Sequence, residues 1–121
     1  MKPKNSDEWL RKRFLEFNRK FFNRKLPIST RVYWVTRFKA PKEHALGCVF
    51  VYEDNRGKSH FVIHLSRRIE RVGLALTLTT LLHEMAHIAV WETDNSANSH
   101  GQVWIKEMRR LASVGAFDLL W

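Results

Sequence analysis

The chain has 121 residues, enough for one domain with a hydrophobic core and too few for two. It is 45% hydrophobic with five tryptophans and eight phenylalanines, the composition of a globular protein, and no apolar run reaches the roughly 18 residues of a membrane span. Its one cysteine, Cys48, excludes an internal disulfide and a cysteine-built zinc site, while a net charge of +9 points equally to polyanionic partners and to a solvated face that keeps the protein soluble.

That charge is unevenly placed. Residues 1–42 hold 13 lysines and arginines against 3 acids, and residues 43–121 hold 8 against 9. The opening Met1-Lys2-Pro3-Lys4-Asn5 leads into a charged amphipathic stretch without the apolar region of a signal peptide, so a cytoplasmic or other intracellular protein is expected. Asn5 or Ser6 can cap a first helix, with Asp7 and Glu8 in its first turn where the helix dipole favours acids. Leu10, Phe14, Phe17 and Phe21 then recur at helical spacing and form a core stripe. Arg11, Lys12, Arg13, Arg19, Lys20, Arg24 and Lys25 fill the remaining surface. The helix should end near Asn23, before Leu26-Pro27.

Residues 30–38 are rich in β-branched and aromatic side chains and read as a strand, broken by Lys39-Ala40-Pro41-Lys42. A second strand runs from Leu46 or Gly47 to Tyr52, and a third covers 59–65. The turn-rich 53–58 between them predicts a hairpin, so the sheet is expected to be small and mainly antiparallel. On the third strand Phe61, Ile63 and Leu65 share one face, and His60, Val62 and His64 the other. Residues 66–72 form a linker or helical turn. From Leu74 to about Trp91 the pattern is apolar nearly all round, the mark of a buried central helix. A polar loop follows over 92–99, then a last helix over 101–114 with Trp104, Met108 and Leu111 inward and Gly115 closing it. Phe117, Leu119, Leu120 and Trp121 form an apolar tail expected to pack.

The polar exceptions on the central helix need a reason, and His83-Glu84-Met85-Ala86-His87 supplies one. Two histidines four apart lie one turn from each other on one helix face, so both imidazoles can reach one metal ion. The glutamate between them can touch an activated water without being a ligand. This is the H-E-x-x-H arrangement of zinc peptidases. Left without partners, such buried polar groups would cost several kcal/mol, a cost that a metal removes. The competing reading is a pair of hydrogen-bonded core histidines with Glu84 in a salt bridge. His100 is the best third ligand, since the polar loop can turn the chain back toward the helix and Gly101 frees the backbone beside it. Glu92 and Asp94 are its rivals. Val90 and Thr93 stand where a compact metzincin needs glycine and histidine, which excludes that class. His64 is a candidate cleft group for substrate or oxyanion, with Tyr33 and Tyr52 as weaker ones. His44 and His60 carry no special signal, and Cys48 reads as a small buried residue.

Phe17-Asn18, Phe21-Phe22-Asn23, Leu26-Pro27, Gly47, Ile63-His64-Leu65-Ser66, Leu81-Leu82-His83-Glu84-Met85-Ala86-His87 and His100-Gly101-x-x-Trp104 together resemble the SprT-like domain family. That family is related to the protease part of the Spartan DNA–protein crosslink proteases. The resemblance runs from the first helix to the last. It implies a zincin-like core, one Zn²⁺ per chain held by His83, His87 and His100, and Glu84 as catalytic base. It also implies protein substrates, especially those bound to DNA. Many relatives continue into a C-terminal zinc ribbon, which a chain with one cysteine is not expected to have. DNA contact would then fall to the basic first third, with Arg11, Lys12, Arg19, Lys20 and Lys25 as candidate nucleic-acid-binding residues.

The expectation is one α+β domain over residues 1–121: basic N-terminal helix, small sheet, buried active-site helix, closing helix. Its expected function is zinc-dependent peptide hydrolysis. The rivals are an inactive nucleic-acid-binding module and a purely structural zinc site. Structural zinc needs no glutamate between its histidines, so Glu84 favours the enzyme.

Overall fold

The computed structural model of the chain describes residues 6–36, 38, 45–91 and 100–118. Helix α1 (Asp7–Phe21) starts at Ser6, whose Oγ accepts the Trp9 N–H at 3.0 Å, so Ser6 is the cap. Leu10, Phe14 and Phe17 are buried as the spacing requires, but the stripe changes at its end. The chain leaves the helix through Asn23 and Arg24, both at positive φ (52° and 59°). Phe22 thereby turns into the core, and Phe21 is only partly buried. Asn18, sequence-adjacent to Phe17 and equally buried, holds this corner: its Nδ2 donates to the Leu26 carbonyl at 3.0 Å and its Oδ1 accepts the Leu26 N–H at 3.1 Å. Both backbone groups of a buried residue are satisfied by one side chain.

Three strands follow, β1 (Arg31–Val35), β2 (Gly47–Glu53) and β3 (Ser59–Ser66), in the order β1-β3-β2. The β2–β3 pair is antiparallel, as the hairpin signal requires, with the Asp54 carboxylate accepting the N–H groups of Arg56 and Lys58 in the turn. The sheet is not mainly antiparallel, however. β1 pairs with β3 in parallel, Val32 opposite Ile63 and Trp34 opposite Leu65, so one pair is of each kind. β2 lies at the far edge from β1, and β3 runs between them. Sequence patterning reads the hairpin, which is local, and not this placement. β1 is also shorter than the stretch 30–38. As an edge strand it is partly protected by α1, whose Asp7 Oδ1 accepts the Trp34 N–H at 2.8 Å.

A short 3₁₀ turn (Arg67–Ile69) leads to helix α2 (Leu74–Ala89), and helix α3 (Gln102–Ser113) comes last. Gly115 at φ 82° closes α3: its N–H reaches the Ala112 carbonyl and that of Ala116 reaches Leu111, a Schellman closure. Phe61, Ile63 and Leu65 join Val32, Trp34 and Val49 on the inner face of the sheet, against Leu10 and Phe14 of α1 and Leu81, Leu82 and Met85 of α2. Each such fully buried side chain contributes about 1.5–3 kcal/mol. Leu111 is buried, and Trp104, Met108 and Phe117 pack partly against the core. The polar loop 92–99 and the tail residues Leu119, Leu120 and Trp121 lie outside the described residues. No helix among the described residues is long and apolar enough to cross a membrane.

Candidate metal centre

The helical period of α2 sets the site. Residues 80–82 and 84–88 are buried, so His87 sits 1% exposed inside the core packing while His83 opens to the cleft. The two rings are 5.2 Å apart between centroids. His100, in the residues just before α3, completes a triangle. Its Nε2 lies 3.0 Å from His83 Nε2, and its ring stacks on His87 with centroids 5.0 Å apart. One nitrogen from each ring falls within 4.8 Å of the others. Zinc bonds of roughly 2.0–2.1 Å to nitrogen in a tetrahedral shell put ligand atoms about 3.4 Å apart, so the three imidazoles could hold one such ion once their rings close slightly around it. The protonation state agrees. Burial, with His100 nearby as a lesser cause, pushes the His83 pKa down to about 4, which leaves the neutral imidazole that a metal requires.

Glu84 is only 4% exposed, and its Oε2 is 3.9 Å from His83 Nε2. What makes room for it is Gly47, the first residue of β2. A Cβ built there would come within 2.8 Å of Glu84 Oε2 and 3.1 Å of Thr80 Cγ2. Glycine in a strand is a mark of close approach, and here the approaching group is the carboxylate. The site opens into a cleft of about 480 Å³, walled by Ala45, Leu46, Gly47 and Cys48 on one side and Leu76, Thr79 and Thr80 on the other. His83, Glu84, His87 and His100 also line it.

Two residues of the family resemblance have no site role in the local pattern of the sequence. Gly47 reads from local pattern as a strand start with no role at the site. Trp104 reads as a core residue, and His100, four before it, precedes α3 rather than sharing a helix face with it.

The other candidates fall elsewhere. His64 stands on the outer face of the sheet between Tyr33 and Phe50, with ring centroids at 6.0 and 4.9 Å, and the structure does not bring it to the cleft. Tyr33 shares that face, and Tyr52 stacks on His60, so neither lines the cleft. His60 in turn donates to Asp54 at 2.8 Å, and that hydrogen bond is the main cause holding the Asp54 carboxyl down to about 2. Cys48 is buried as expected. His44, Glu92 and Asp94 lie outside the described residues. Of the basic residues, Lys12, Arg19, Lys20 and Lys25 are exposed. Arg11 is engaged within the chain, donating to the carbonyls of Thr30 and Ile28. Lys12 lies 3.9 Å from Glu8, in a surface pair of little energetic weight.

Compared with the models of known protein families, residues 10–118 match that of the SprT-like family.

Proposed function

Because this chain belongs to the SprT-like family, we propose that it is a zinc-dependent metallopeptidase with a zincin-like core, its ion held by His83, His87 and His100. The observation that carries this reading is Glu84. A carboxylate is buried at the cleft wall beside three converging imidazoles, in a place made for it by Gly47. A structural zinc site needs four protein ligands and no such base.

When bound, a zinc ion would supply a Lewis acid for the scissile carbonyl and lower the pKa of the attacking water. The protein's own groups do the rest. The imidazoles of His83 and His87 are fixed on a rigid helix, and His100 reaches them from just before α3. Glu84 accepts the water's proton at its carboxylate and returns it to the leaving amine. The test is metal analysis of the purified chain together with a proteolysis assay, with and without DNA. One zinc per chain and cleavage are expected. A zinc-loaded chain that cleaves no protein under either condition would return it to a binding module.

Gly47 offers a finer check. Gly47→Ala should leave zinc stoichiometry unchanged but push the Glu84 carboxylate from its place. Misplacement of a catalytic group by about 1 Å costs on the order of 100-fold in rate. Steady-state kinetics should therefore show kcat falling by about 10- to 100-fold with little change in KM. Wild-type kcat in a zinc-loaded Gly47→Ala protein would mean that the carboxylate position is not what limits the reaction.

Proteins bound to DNA are the proposed substrate class, with α1 and the turn after it as the electrostatic contact. The exposed Lys12, Arg19, Lys20 and Lys25 support it, whereas Arg11 is committed to backbone carbonyls. Binding should show little sequence preference and should weaken steeply with salt. Changing these four lysines and arginines to glutamine should flatten the plot of log affinity against log salt by about one unit for each phosphate that is no longer neutralised. Titrations with the same slope for both proteins would leave the charges as a solvated helix face.

A further inference from the structure

One side chain touches every member of the histidine cluster and is not itself a ligand. The Trp104 ring centroid lies 4.7 Å from that of His83, 5.3 Å from His87 and 4.5 Å from His100. It is nearly parallel to the His87 ring, at 19°, and tilted by 32° from His100 and 58° from His83. Its Nε1–H points to the His83 carbonyl at 3.4 Å. The indole is partly buried against the core, so its own position is set by packing.

The geometry has a chemical meaning. The torsion that turns an imidazole about its Cβ–Cγ bond is broad, so a histidine holds a metal well only when something fixes its ring. Here the three rings come from two separate elements, α2 and the residue before α3, and a single flat surface meets all of them. The indole restricts the swing of each ring and ties the start of α3 to the carbonyl of an α2 ligand. We propose that Trp104 is a positioning residue, whose indole holds His83, His87 and His100 in the arrangement that a divalent ion needs before the ion arrives. The inference rests on the three-histidine metal reading and is independent of whether the site hydrolyses peptides.

The test measures zinc affinity by competition with a chromophoric chelator, for wild type, Trp104→Phe and Trp104→Leu, beside the melting temperature of each metal-free protein. Outer groups that orient metal ligands typically change affinity by roughly 10- to 100-fold. Trp104→Leu should show a loss of that size, and Trp104→Phe, which keeps a flat ring, should recover most of it. The metal-free melting temperatures of the two variants should lie closer to each other than their affinities do, because both fill the core position with an apolar side chain. The visible absorption of the cobalt-substituted proteins should change in Trp104→Leu and be restored in Trp104→Phe. Wild-type affinity and an unchanged cobalt spectrum in a folded Trp104→Leu protein would overturn the proposal alone. A wild type that binds no zinc would overturn the metal reading and the proposal with it. Should Trp104→Leu not fold, fluorine NMR of fluorotryptophan-labelled protein decides: the resonance that disappears in Trp104→Phe must shift on zinc addition, and its failure to shift overturns the proposal.

Discussion

Glu84→Gln should fold, bind zinc with wild-type stoichiometry and lose peptidase activity by about 100- to 10,000-fold, the usual contribution of a positioned general base. The substitution keeps the length and shape of the side chain, so the packing against Gly47 is preserved. It removes the one property the proposed reaction would use, the ability to take a proton from the attacking water. Because Glu84 is not one of the three converging donors, metal content should not follow activity. Rate and stoichiometry measured on the same preparation separate the outcomes. An active Glu84→Gln protein would assign the base elsewhere, and an inactive one without zinc would make Glu84 part of the metal's support.

The H-E-x-x-H pair is readable because the helical period alone sets two imidazoles on one face, and the buried context of α2 makes polar residues there conspicuous. His100 follows from a loop of the right length followed by glycine, and the structure brings it within 3.0 Å of His83. What the sequence hides depends on contacts between elements far apart in the chain. Gly47 is separated from Glu84 by a hairpin and half a helix, so nothing local links a strand-initial glycine to the carboxylate it accommodates. The parallel β1–β3 pairing has the same origin, since it joins two strands that are not consecutive in the chain. Asn18 shows a different limit. Polar and next to the helix stripe, it has the pattern of a surface residue, yet its amide is the hydrogen-bonding partner of Leu26 at the corner after α1. His64 lies on the strand face that alternation assigns to it, and that face is turned away from the cleft.

The three proposed ligands should not respond alike to removal, because they stand in different surroundings. Loss of a direct ligand should weaken zinc binding more than the 10- to 100-fold typical of an outer group, so His83→Ala, His87→Ala and His100→Ala should each lose more than about 100-fold. The metal-free proteins should then differ. His87 is 1% exposed in the packing of α2, and its truncation opens a cavity, costing stability whether or not zinc is present. His100 is exposed, so His100→Ala should melt with the metal-free wild type. Saturating zinc should raise the wild-type melting temperature, since about 2.7 kcal/mol of stabilisation comes from ligand at 100 times its Kd. That rise should vanish in all three variants. Glu92→Ala serves as the control and should keep both the affinity and the rise. If Glu92→Ala emptied the site while His100→Ala left it full, the third ligand would be the glutamate, and His100 would be no more than a neighbouring ring.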